Sequence, residues 1–230
     1  IKVCGIRDVD SAEGVARLGP DAIGLNFWSG SPRFVSASDA AEIVERVSGT
    51  VEPVGLFVDH PLEELTAVLD LAGIESVQLH GEESPEYLAA LRSARPLRRL
   101  IRAMRVGNDG LQPVAEYLDA CATAGGSPDI CLLDARVPGT PGGTGRTLDW
   151  NSLAPPGRSA DWPPLVLAGG LTPQNIAEAV SSVRPWGVDV ASGVESLPGV
   201  KDLGAVERFI AAARAAGAKA GGDAPGRDDA

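Results

Sequence analysis

The chain has 230 residues, 44% of them hydrophobic, enough to bury a sizeable core in one or two domains. Its formal net charge is −11 and its 20 lysines and arginines are scattered, which excludes a nucleic-acid surface. No apolar run approaches the roughly 18 residues of a membrane span, the first residues lack the pattern of a signal peptide, and three cysteines with two histidines make neither a CxxC pair nor a zinc-spaced cluster. A cytoplasmic protein without a membrane partner, a disulfide framework or a metal is expected.

The opening IKVCGI, residues 1 to 6, reads as a strand. Alternation puts Lys2 and Cys4 on one face, and burying an amine and a thiol is costly unless both have partners or a task. The amphipathic stretch 8 to 19 follows, then the strand AIGLNF (22 to 27) and the loop SGSPRF (29 to 34), which carries Arg33. A guanidinium there can clamp a carboxylate, although position alone fits a solvated arginine equally well. A helix at 36 to 47, a strand at 51 to 58, a helix at 60 to 73, the strand SVQLH (76 to 80), a helix at 84 to 93 and a strand at 100 to 106 come next. Ser, Thr and Asp stand at several helix starts, with proline behind the cap in SPE and TPQ, as helix entry prefers.

The strand DICLLDA (129 to 135) leads into the glycine-rich RVPGTPGGTGRT (136 to 147), which reads as a mobile lid or an ordinary surface connection. A short helix near 148 to 153, the strand PLVLAGG (164 to 170), the helix TPQNIAEAVSSV (172 to 183) and the strand GVDVASG (187 to 193) complete the alternation. Lys201 falls at an expected helix start. From Lys219 the composition turns small and charged, and residues 219 to 230 read as a flexible acidic tail.

Eight strands alternating with helices predict a closed (β/α)8 barrel, with residues 1 to 218 as a single domain. An open doubly wound sheet is the alternative, but CGIRDV lacks its Gly-rich turn. A barrel carries its chemistry at the carboxyl ends of its strands. Those positions are polar here: Cys4, Asn26, Asp59, Gln78 with His80, Asp134, Gly169-Gly170, Asp189 and Ser192-Gly193. Strand 8 closes on strand 1, so Asp189 is expected to pair with Lys2, an account preferred over a catalytic lysine. Glycine pairs before two helices offer unpaired amides, making Gly169, Gly170, Ser192 and Gly193 candidates for a phosphate. Either loop alone would as readily be a simple turn.

In order along the chain stand K-V-C-G-I (2 to 6), S-P-R (31 to 33), V-Q-L-H-G (77 to 81), L-L-D (132 to 134) and G-G-T-G with D-W (142 to 150). L-A-G-G-L (167 to 171) and V-D-V-A-S-G-V-E with P-G-V-K-D (188 to 202) complete the set. With these motifs the sequence closely resembles the phosphoribosylanthranilate isomerases of tryptophan biosynthesis, over nearly its whole length. The resemblance implies a cofactor-free Amadori rearrangement of N-(5-phosphoribosyl)anthranilate, a phosphorylated aminosugar, with Asp134 as general acid and Cys4 as general base. It implies that Arg33 holds the anthranilate carboxylate, that Asp189 stands at the substrate mouth, where pairing with Lys2 explains it equally well, and that Gly143 joins the phosphate-binding residues; His80, inward at a strand end, is a substrate-lining candidate by position, with a satisfied core imidazole as the alternative. The thiolate would need nearby positive charge, for which Lys2 is a source.

Two positions depart from the common family forms: Asp59 where Asn is frequent, and Ala191 where Ser often precedes the Ser-Gly pair. His60 is expected to be solvated. A sister isomerase of histidine biosynthesis uses an aspartate at strand 1, which Cys4 argues against. A dual-substrate isomerase and a non-catalytic phosphosugar-binding barrel remain as alternatives. A monomer is expected, with a homodimer open.

Overall fold

A computed structural model describes residues 1–107, 110–134, 150–153 and 158–222. Gly143, the loop 136 to 147 and the end of the tail lie outside the described residues.

Eight strands close into one barrel in chain order: β1 (Lys2–Ile6), β2 (Ala22–Asn26), β3 (Glu52–Phe57), β4 (Ser76–Leu79), β5 (Arg99–Arg105), β6 (Ile130–Asp134), β7 (Leu165–Ala168) and β8 (Gly187–Val190). Every neighbouring pair is parallel, and closure is made by β1 against β8 with Lys2 opposite Asp189. The expected fold is therefore the observed one. Helices α1 (Val9–Arg17), α2 (Ala37–Val47), α3 (Leu62–Ala72), α4 (Pro85–Ala94), α5 (Gln112–Ala124), α6 (Ile176–Val183) and α7 (Leu203–Gly222) accompany the strands. Between β6 and β7 the described residues hold only a short 3₁₀ turn, Trp150–Leu153.

The side-chain alternation of each strand divides the interior in two. Outward residues such as Val3, Ile23, Leu25, Phe57, Leu79, Leu133 and Leu167 pack against the helical Val15, Ile43, Leu65, Leu88, Ile176 and Phe209. Fully burying one such side chain contributes about 1.5–3 kcal/mol. Inward residues Val54, Ile101, Ala103, Ile130, Leu132, Val166 and Ala168 form a second cluster that plugs the barrel below its polar rim. Helix entry follows the caps: Asp8, Ser36 and Ser84 accept from the backbone N–H of Ser11, Asp39 and Tyr87.

Several details differ from the sequence reading. Helices α5 and α7 were not among the stretches that stand out from periodicity. The TPQN segment is not the first turn of α6: Asn175 Oδ1 accepts from the Thr172 N–H at 2.8 Å and its amide donates to the Gly170 carbonyl at 3.0 Å, folding residues 172 to 175 into a turn. After β8 no α-helix begins at Ser192-Gly193. A three-residue 3₁₀ turn (Ser192–Val194) leads into an antiparallel hairpin, β9 (Glu195–Leu197) and β10 (Val200–Lys201). Lys201 thus sits on a strand, ahead of α7, and α7 itself runs through Lys219 to Gly222.

Candidate active site

The first strand is interrupted by a bulge at Gly5, where the register with β2 shifts between Cys4 and Ile6. Gly5 has φ +85°, and a Cβ there would stand 2.5 Å from Cδ of Arg33. The bulge therefore lets the Arg33 stem cross the rim beside Cys4. Loop 2 is held by Asn26, the last residue of β2, which accepts from the Trp28 N–H at 2.9 Å and donates to the Ser31 hydroxyl at 3.2 Å. Ser31 in turn accepts from the Arg33 N–H at 3.1 Å.

Below Cys4, Lys2 Nζ lies 2.9 Å from Asp189 Oδ1, and both side chains are nearly sealed from solvent. The expected ion pair is present. Burial works against the Lys2 charge, but Asp189 and Cys4 more than offset it and its pKa is raised. Cys4 goes the other way from what a resting thiolate needs. Burial, the largest influence, pushes its thiol pKa up; Lys2 and Lys201 pull it down, Asp189 pushes it up, and burial wins. Lys2 does supply favourable charge, yet its nearest partner is a carboxylate that cancels part of it.

Arg33 is also less free than the sequence suggested. Its Nε and Nη2 donate to Glu195 Oε1 and Oε2 at 2.8 and 2.6 Å, a two-pronged pairing within the protein. Glu195 additionally accepts from Lys201 Nζ at 2.7 Å, and the same ammonium donates to the Ala191 carbonyl at 3.2 Å. The side chain of Lys201 is 1% exposed. Burial raises the Glu195 pKa, but Arg33 and Lys201 outweigh it and the carboxyl is held low. Three cations, Lys2, Arg33 and Lys201, thus face two carboxylates around Cys4. Glu195 takes the edge of the Arg33 guanidinium formed by Nε and Nη2.

Glu195 and Lys201 were missed as site residues, since the hairpin that folds them inward leaves no trace in strand or helix periodicity. The P-G-V-K-D motif was the available signal. Its glycine matters in the same place: Gly199 packs under loop 2, where a Cβ would be 2.9 Å from the Pro32 carbonyl.

Across the mouth, Asp134 ends β6 and His80 follows β4. His80 Nε2 is 3.9 Å from Asp134 Oδ2, and its Nδ1 is 3.3 Å from the Gln78 amide nitrogen. Burial lowers the His80 pKa more than Asp134 raises it, which favours the neutral ring. Beside His80 the third and fourth loops are cross-braced: Glu83 accepts from the N–H groups of Asp59 and Gly81 and from Arg102, and Asp59 Oδ1 accepts from the Glu82 N–H at 2.6 Å. Asp59 has φ +51°, a conformation that Asn and Asp tolerate best, which accounts for the residue found there. His60 is half-buried, its ring edge-on to Phe57 with centroids 5.2 Å apart.

Gly169 and Gly170, both at positive φ, follow β7, and Ser192-Gly193 follow β8. The two loops touch: a Cβ at Gly193 would collide with the Leu171 carbonyl and come within 3.2 Å of Thr172 Cα. Cys4, Arg33, His80, Asp134, Asp189 and the two glycine loops therefore all lie at the carboxyl end of one parallel barrel.

The family model for N-(5'-phosphoribosyl)anthranilate isomerase matches residues 1–212. Curated relatives of that name are 44% identical over 217 residues in Pseudomonas paraeruginosa, covering 94% of this chain and 96% of the relative, and 40% identical over 215 residues in Pelobacter propionicus, covering 93% and 95%. Among solved structures, phosphoribosyl anthranilate isomerase from Thermotoga maritima superposes with a TM-score of 0.81 at 35% identity, covering 93% of this chain and 98% of the other. Another, a phosphoribosyl anthranilate isomerase in complex with reduced 1-(o-carboxyphenylamino)-1-deoxyribulose 5-phosphate, has a TM-score of 0.78 at 32% identity and covers 93% and 97%. The chain belongs to the N-(5'-phosphoribosyl)anthranilate isomerase family.

Proposed function

We propose that this protein isomerises N-(5'-phosphoribosyl)anthranilate to 1-(2-carboxyphenylamino)-1-deoxyribulose 5-phosphate, with Cys4 as general base and Asp134 as general acid. The reading is supported by family membership and, on this chain's own account, by one observation: a thiol flanked by two ammonium groups and a carboxyl beside a neutral imidazole share the mouth of one barrel.

The Asp134 carboxyl donates its proton to the ribose ring oxygen as the C1′–O bond breaks, and the anilino nitrogen supplies the electron pair that makes a C1′=N iminium. The Cys4 thiolate then takes the C2′ proton, and the C2′–H electrons form the C1′=C2′ enolamine as the nitrogen recovers its pair. Transfer of the enol proton to C1′ gives the ketone. Arg33 receives the anthranilate carboxylate on its outer edge, Asp189 fixes Lys2 beneath the sugar, and the amides around Gly169, Gly170, Ser192 and Gly193, with Gly143, take the phosphate. No cofactor enters these steps.

The thiolate is the working form of Cys4 and burial makes it the minor one near neutrality. Activity therefore climbs as pH rises toward the thiol pKa. Three free cysteines suit a cytoplasmic enzyme, and among the described residues no helix is long and apolar enough to cross a membrane. A monomer is the assembly we favour, with 4% aromatic residues and no long exposed apolar stripe in the sequence.

Turnover of phosphoribosylanthranilate by wild type, Cys4→Ala and Asp134→Ala tests the assignment. Each substitution is expected to lower kcat by about 10²–10⁴-fold. Wild-type turnover in either variant overturns the role given to that residue.

A further inference from the structure

Among the described residues, Gln78 is a buried polar side chain that the reaction above leaves without a task. Gln78 is fully buried on β4, its Oε1 has no hydrogen-bond partner, and its Nε2 faces His80 Nδ1 at 3.3 Å. An amide in an apolar interior is costly, so its orientation carries information. The atom facing Nδ1 is the amide nitrogen, which can only donate, so Nδ1 accepts. A neutral imidazole that accepts at Nδ1 carries its proton on Nε2. That nitrogen is the one 3.9 Å from Asp134 Oδ2.

The backbone fixes this geometry. The His80 N–H donates to the Phe57 carbonyl at 2.9 Å, and the loop after it is pinned by Glu83 to Gly81 and Arg102. The other charged groups facing the ring are Lys2, Asp189 and Arg105. Arg105 stands opposite Asp134 in the β5–β6 register.

We propose that His80 is a positioning residue for the acid, held by Gln78 as the Nε2–H tautomer so that it orients the Asp134 carboxyl and hydrogen-bonds the carboxylate left when Asp134 gives up its proton. The gap of 3.9 Å is longer than a hydrogen bond and closes with substrate in place, as catalytic contacts commonly do. This rests on Asp134 being the general acid. It stands beside the substrate-lining role expected of His80 from the sequence.

The test uses the full chain, which has only two histidines. Nitrogen-15 spectra of the imidazoles should show His80 neutral and protonated at Nε2, and Gln78→Leu should shift it toward a mixture of tautomers. His80→Leu should lower kcat by about 10- to 100-fold, the loss of one hydrogen bond to a charged group, with KM nearly unchanged. His80→Gln, whose amide reaches the Nε2 position, should recover most of the loss. A proton found on Nδ1 or a His80→Leu defect confined to KM overturns the proposal. Should His80→Leu fail to fold, the tautomer spectra and His80→Gln still decide it. Wild-type turnover in Asp134→Asn would instead mean that the acid assignment has failed, an outcome the tautomer spectra do not share.

Discussion

At the scale of single residues, the thiol of Cys4 is governed by a contest between burial and charge. Lys2 is the largest favourable influence on it, but Lys2→Met alone would leave Asp189 buried and unpaired, at about 3–5 kcal/mol. Lys2→Met with Asp189→Asn keeps the cluster neutral. Because Lys2 lowers the thiol pKa more than Asp189 raises it, the double variant should titrate Cys4 at a higher pH than wild type, measured by thiolate absorbance at 240 nm. An unchanged or lower value would remove Lys2 from the account. Lys201 acts in the same direction, so Lys201→Met should move the rise of kcat/KM to higher pH.

On the proposed reading Arg33 has two duties, a contact to the substrate carboxylate and its pairing with Glu195, and they separate. Arg33→Ala should raise KM for phosphoribosylanthranilate by about tenfold or more through the lost carboxylate contact. It should also destabilise the fold by about 1–3 kcal/mol, since Glu195, 4% exposed, keeps only Lys201 as a cation. Urea unfolding measures the second effect. A KM that stays at the wild-type value contradicts the first. The Lys2–Asp189 pair was legible in the sequence because strand parity and barrel closure put the two side by side. The Arg33–Glu195 pairing was not, because 162 residues separate the partners and only the hairpin after β8 brings them together.

At the scale of elements, the strands were readable from short aliphatic runs, and their observed limits lie within two or three residues of those read from the sequence. Helix α5 carries Val114, Leu118 and Cys121 at helical spacing, but small and polar residues dilute the pattern around them. Helix α7 is similarly blurred by alanines, although Val206, Phe209, Ile210 and Ala213 form its buried stripe. The hairpin β9–β10 was invisible because strands of three and two residues have no period to detect.

The junction of the loops after β7 and β8 rests on one close approach. Gly193→Ala forces a methyl against the Leu171 backbone, so the loops must separate. The expected result is a weaker grip on phosphate, read as about a tenfold or greater loss of affinity for inorganic phosphate in calorimetry, with the barrel still folded by circular dichroism. Unchanged phosphate affinity would argue that these loops do not form the cradle.

At the scale of the whole molecule, the closed parallel barrel explains why residues as distant in sequence as Cys4 and Asp134 meet at one rim. Eight strands run the same way, so each strand end becomes one point on a ring. The fold was legible because strand and helix alternate throughout, while the precise polar contacts depended on loops whose geometry no periodicity records. The central claim is that Cys4 and Asp134 perform proton transfers and contribute little to binding. Its most direct measurement is calorimetric affinity for reduced 1-(o-carboxyphenylamino)-1-deoxyribulose 5-phosphate in the Cys4→Ala/Asp134→Asn variant, alongside turnover of phosphoribosylanthranilate. The account predicts a Kd within about threefold of wild type and kcat lower by about 10⁴-fold or more. Turnover that survives in the double variant, or a loss of affinity that matches the loss of turnover, would contradict it.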